Sequence, residues 1–184
     1  MTFAIIESNS AFYALELEDW AAARRHLQES IRISAERGAE EQRNGPRWIQ
    51  LARAQGRLGA IEEGRQSLER GERLMRALYG DDEARKWRYL GRAAQAALAL
   101  GDAQRGAARF REAIDLQRRH GEPDAAFYEN LGRLAEVLHE IDSQDAEVDA
   151  LLAEALAEGA LKGSAQEFRH RRRFEDLVAQ RRSQ

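Results

Sequence analysis

Four histidines, His26, His120, His139 and His170, are the side chains of this 184-residue chain best suited to move protons or bind a metal. They fall on four separate segments, and no two have the i, i+4 spacing that sets a pair of ligands on one helical face. With no cysteine in the chain, disulfides and sulfur-ligated zinc or iron–sulfur centres are excluded. Carboxylate pairs occur at Glu62-Glu63, Asp81-Asp82 and Glu175-Asp176. The first two stand at expected helix starts, where negative charge answers the helix dipole, so capping is their expected role. Gly56, Gly59 and Gly64 have the look of a phosphate loop but lack both a preceding strand and a lysine. An enzyme would need titratable groups converging in a closed pocket, with Glu62, Glu140 or a histidine as the candidates. No such cluster is legible, so no catalytic residue, no metal and no cofactor is expected.

Arginine carries the remaining chemistry. Of the 29 cations, 27 are arginine, and three of these close the same short motif: Trp48-x-x-Leu51-Ala52-Arg53, Trp87-x-x-Leu90-Gly91-Arg92 and Tyr128-x-x-Leu131-Gly132-Arg133. A guanidinium presents a planar fork of donors that grips a carboxylate through two hydrogen bonds. A second concentration, Arg169-His170-Arg171-Arg172-Arg173, lies near the C-terminus, in a stretch from Lys162 that is basic while the rest of the chain is acidic. Such a cluster has the length of a nucleic-acid or acidic-surface contact, or it is the solvated face of a terminal helix whose Phe168, Phe174, Leu177 and Val178 point inward and whose Ser164 and Glu167 form a capping box. The near-neutral net charge of −3 argues against a dedicated nucleic-acid binder.

The elements that must position these side chains are helices. Thirty-three alanines and 20 leucines stand against 8 isoleucines, 3 valines and a single threonine, a balance that favours helix over strand throughout. Turn signals divide the chain into nine helical segments, at 3–17, 19–37, 46–58, 60–79, 82–100, 103–120, 124–141, 144–159 and 164–182. The longest early apolar run, Phe3 to Ile6, is far too short to span a bilayer. Without cysteine or a secretory signal, the chain reads as cytoplasmic, with no membrane partner.

Alternate segments repeat. Ala23-x3-Leu27-x2-Ser30, Gly64-x3-Leu68-x2-Gly71, Gly106-x3-Phe110-x2-Ala113 and Val148-x3-Leu152-x2-Ala155 begin at near-constant intervals of 41 or 42 residues. Small residues at i and i+7 with a large apolar one at i+4 share one helical face, so a neighbouring helix can come close. A glycine inside a helix costs about 1 kcal/mol relative to alanine, and close backbone approach is the expected reason for Gly64, Gly71 and Gly106.

Aromatic-x2-Leu-small followed by a turn and small-x3-large-x2-small resembles the tetratricopeptide repeat, in a long-period form similar to that of kinesin light chains and some bacterial regulators. The resemblance implies an all-α solenoid: four antiparallel helix pairs at about 4–40, 45–80, 84–120 and 124–159, closed by a capping helix at 164–182, as one domain over 1–184. It also implies that the first helices of the units line a concave groove, with Ile49, Gln50, Arg53 and Arg57, then Arg88, Tyr89, Arg92 and Gln95, then Glu129, Asn130 and Arg133 facing it. On that footing Arg53, Arg92 and Arg133 form a ladder, which either grips an acidic protein or peptide segment or pairs with glutamates of neighbouring units. The expected role is a non-enzymatic adaptor, either a whole protein or a module of a larger signalling or transcriptional regulator. The lysine and asparagine set of chaperone-tail binders is not reproduced apart from Asn130. Because the first helix, with Ala11 and Ala14 at its small sites, lacks a polar cap, self-association through the N-terminal edge is a further expectation.

Overall fold

In a computed structural model, residues 2–157 and 165–183 are described, with the side chains of Thr2, Ala84 and 165–170 left out. Nine α-helices are present among them: α1 Thr2–Glu16, α2 Trp20–Glu36, α3 Gly45–Arg57, α4 Ile61–Tyr79, α5 Glu83–Ala99, α6 Ala103–His120, α7 Ala125–Ile141, α8 Glu147–Ala155 and α9 Ala165–Arg182. A 3₁₀ turn at Glu41–Asn44, which the turn signals do not predict, leads into α3. Most helix ends agree with the expected ones within two residues. The largest differences are in α8, which ends at Ala155 with its C-cap at Leu156 instead of running to 159, and which starts at 147 instead of 144 because Asp142 and Asp145 accept backbone N–H bonds from Gln144 and Glu147 and hold the chain in successive turns. The expected box of Ser164 and Glu167, the Phe168 side chain and the end of the eighth segment beyond 157 lie outside the described residues.

Local chemistry sets the pairs. Asp19, Asp102 and Asp124 cap α2, α6 and α7 by accepting from the backbone N–H three residues on. Between the helices of the second and third units, Gly59 and Gly101 adopt φ of +79° and +80°, which lets the chain reverse within three residues. Asp82 stands at the N-cap of α5 but makes no capping hydrogen bond; it pairs instead with Arg85 at 3.3 Å, correcting the capping role expected for it.

Packing follows the small residues. A Cβ on Gly71 would lie 2.7 Å from Ile49 Cγ1 and 2.9 Å from the Ile49 amide nitrogen, so α4 touches the backbone of α3 there. Gly64 and Gly106 are filled chiefly by leucine side chains, Leu100 and Leu98, with a carbonyl of the preceding helix 3.2 and 3.4 Å away. Gly56 performs the same service between units, against the carbonyl of Ala99 in α5. The core runs along the array as successive clusters, from Leu15, Ala23 and Ala54, through Ile49, Leu68 and Leu90, to Phe110, Phe127 and Leu152.

α9 closes the last unit. The Phe174 ring, fully buried, sits where a side chain on Gly132 would be, and Leu177 joins the same core. Outward it presents Arg172, Glu175, Asp176 and Gln180 to solvent.

Gly71→Ala is expected to destabilise the fold by about 1–3 kcal/mol, although the same change in an open helix gains about 1 kcal/mol, because α3 and α4 must separate. Gly121→Ala, where a Cβ meets nothing closer than 3.4 Å, is the near-neutral control. Thermal or urea unfolding followed by circular dichroism compares the two.

Candidate interaction groove

The first helices of the four pairs, together with α9, enclose a groove of about 580 Å³. Its floor and walls take Gln50 and Arg53 from α3, Arg88, Arg92 and Gln95 from α5, and Glu129, Asn130 and Arg133 from α7, which brings eight of the expected site residues together. Two expected residues are corrected. Ile49 is fully buried against Gly71, and Tyr89 is 6% exposed with its ring stacked on Tyr79 at 6.2 Å. Adjacent helical residues point about 100° apart, so Ile49 with Gln50, or Arg88 with Tyr89, cannot both be centred on one groove. Arg57 is exposed beside the groove, its guanidinium 5.6 Å from the centre of the Trp20 ring.

The charge pattern is richer than an arginine ladder. Arg53, Arg88, Arg92, Arg133 and, from the cap, Arg173 line the cavity alongside Glu16, Glu18, Asp124 and Glu129. The α1 wall, with Phe12, Leu15 and Glu16, Glu18 in the turn after it, and the ring of Trp87 were not expected to take part. The first helix matches the repeat motif only faintly, and the aromatic position reads as core.

Arg53 sits in a desolvated position. It lies 5.2 Å from the centre of the Trp20 ring, and burial lowers its pKa, with Arg133 and Arg57 adding repulsion against a partial offset from Glu129 and Glu16. Among the described residues Arg53, Arg88 and Arg92 make no ion pair with a carboxylate, and Arg88 rests on the ring of Trp87 at 5.5 Å. Arg133 differs, reaching Glu129 at 3.8 Å and Glu136 at 3.4 Å on its own helix.

Internal pairing is instead the work of the second helices. Arg24 of α2 bonds Glu63 of α4, and Arg105 and Arg109 of α6 converge at 2.8 and 2.9 Å on Glu72 of α4, a carboxylate only 3% exposed. Arg111 and Arg118 of α6 reach Glu147 and Glu154, and Arg181 of α9 holds Asp149. No sequence signal marks these pairs, since charged residues on a helix look alike until their neighbours are placed.

Other candidate chemistry is dispersed. His26 meets Glu7 at 2.7 Å, His120 lies 3.5 Å from Glu83, and His139 accepts from Arg181. No group of three or more metal-ligating side chains occurs among the described residues. In the basic cluster, Arg171 bonds Glu175 on α9, and Arg173 pairs with the buried Glu136; the Arg169 and His170 side chains lie outside the described residues. No helix among the described residues is long and apolar enough to cross a membrane.

This architecture is shared with solved repeat proteins. The chain superposes on the nearly identical TPR-like repeats of a Podosopora anserina kinesin light chain with a TM-score of 0.66 at 17% identity, covering 100% of this chain and 96% of that one. A second crystal structure of the same repeats, carrying one substitution, gives 0.65 at 17%, covering 96% and 92%. BtubC (BKLC) from P. vanneervenii gives 0.64 at 18%, covering 94% of this chain and 72% of that one. No protein-family model and no curated protein matches the chain. The fold is therefore a TPR-like α-solenoid.

Burial raises the pKa of Glu136 above the ordinary carboxylate value, against the opposing pull of Arg133 and Arg173. A carboxyl with a raised folded-state pKa contributes stability that is complete below about pH 4 and is lost as pH rises through the raised value. The melting temperature of Glu136→Gln minus that of the wild type should therefore become more positive from about pH 4 to pH 7. A flat or falling difference contradicts this.

Proposed function

We propose that the chain is a non-enzymatic adaptor that binds an acidic protein or peptide segment in its concave groove. The observation that carries this reading is the set Arg53, Arg88 and Arg92, three groove cations that form no close ion pair with a carboxylate among the described residues, when the second helices pair arginine with glutamate repeatedly. Arg53 and Arg88 are pre-oriented by the aromatic rings they lie against, which lowers the entropy lost on docking. Asn130, only 6% exposed and lining the same cavity, adds an amide suited to a peptide backbone group.

Magnitudes favour cooperation. One exposed arginine–carboxylate contact is worth about 0–1 kcal/mol, so a useful affinity needs several together in a partly desolvated groove. In this reading the protein works in the cytoplasm, alone or as a module of a larger regulator.

Fluorescence anisotropy with fluorescein-labelled hexaglutamate, its C-terminally amidated form and hexalysine tests the reading. Hexaglutamate should bind, weakening with added salt, and hexalysine should not. Arg53→Ala/Arg92→Ala should weaken hexaglutamate about tenfold or more, equivalent to about 1.4 kcal/mol. Equal binding of hexaglutamate and hexalysine, or a folded double variant that binds as the wild type does, overturns the proposal.

A further inference from the structure

We infer that the open N-terminal edge of the solenoid is a two-fold contact with a second copy of this chain. On α1 and the turn residue just after it, Phe3, Ile6, Tyr13 and Leu17 are 65%, 50%, 67% and 81% exposed, Phe3 with the Arg37 guanidinium 5.9 Å from its ring, and with Ser10 they recur at helical spacing along one stripe. Neither charge of α1 belongs to that stripe: Glu7 bonds His26, and Glu16 lines the groove. Large apolar side chains left open in this way are the mark of an interaction surface.

The repeat itself identifies the stripe as an inter-unit surface. Tyr13 stands two residues past the small site Ala11, and the matching positions in the next three units are Ala54, Ala93 and Leu134, exposed by 0%, 0% and 1%. Ala54 is buried against Ala14, Leu15 and Ala23 of the unit before it. The first unit presents that same position to solvent.

Three features select a second copy as the occupant. The stripe is nearly symmetric about Ser10, so two α1 helices packed antiparallel place Phe3 and Ile6 of one beside Leu17 and Tyr13 of the other. Ser10, the small residue at the midpoint, permits close approach there, as glycine and alanine do inside the array. The far end is unavailable for head-to-tail growth, since α9 covers it and turns Arg172, Glu175, Asp176 and Gln180 outward. An isologous contact at a single open edge closes at two copies. The four side chains supply on the order of 500 Å² per protomer, most of the ~800 Å² per partner of a standard interface.

Sedimentation equilibrium of the full chain should show the mass rising with concentration from 20.9 kDa and levelling at twice that value. Tyr13→Glu/Leu17→Glu should weaken dimerisation about tenfold or more, with unchanged helicity, because each charge would be buried without a partner. Tyr13→Phe should retain it. The cysteine-free chain permits a second measurement that does not depend on the charged variant folding. Under mild oxidant, Ser10→Cys should form a covalent dimer rapidly, and Gln180→Cys on the cap should not. A wild type that stays monomeric to about 500 µM, assembly that continues past two copies, or equal cross-linking at positions 10 and 180 overturns the inference.

Discussion

Where α4 crosses α3, Gly71 brings the backbones so close that a single added carbon would lie 2.9 Å from the Ile49 amide nitrogen. The remaining architecture depends on such contacts. Gly106 repeats the arrangement inside its own unit, with Leu98 filling the space, Gly64 does so with Leu100 of the next unit filling it, and Gly56 repeats it between units against Ala99. Because each approach is set by the absence of a side chain, the pairs stack with similar geometry and the first helices fall side by side along one wall. The groove is a consequence of that spacing.

The same stacking divides the arginines into two populations. Those on the second helices face a neighbour's glutamates on the outside of the array, and Glu72, buried beneath Arg105 and Arg109, is tolerable only because both partners are in place. Those on the first helices look into the concavity, where Arg53 and Arg88 rest on tryptophan rings. The outer set fixes the register of the stack. Of the inner set, Arg53, Arg88 and Arg92 make no carboxylate ion pair among the described residues, and the proposed function assigns their donors to the ligand.

The two ends of the array are finished differently. At one, Phe174 fills the notch over Gly132, Arg173 reaches the buried Glu136, and the outward face of α9 is charged. At the other, α1 turns a nearly uncharged apolar stripe to solvent. A stacked repeat buries its faces only against neighbours, so an apolar face left open calls for a partner. Arg173 also lines the groove, from the element that seals the core.

Much of the fold was legible because it rests on local patterns. Alanine and leucine richness, glycine punctuation and a 41–42-residue period specify helices, their ends and their pairing, and the small-x3-large-x2-small rows mark where helices meet. Eight of the eleven groove residues that the repeat resemblance implied line the cavity. Three things were decided only in three dimensions. The rotation of α3 and α5 sent Ile49 and Tyr89 into the core, which depends on packing across both neighbours. Which arginines pair and which stay open depends on glutamates some 30 to 40 residues away, such as Glu72 for Arg105 and Glu147 for Arg111, and periodicity carries no information on that choice. The α1 wall of the groove exists because the superhelix curves one unit toward another, and curvature accumulates from contacts along the whole stack, not from any one segment.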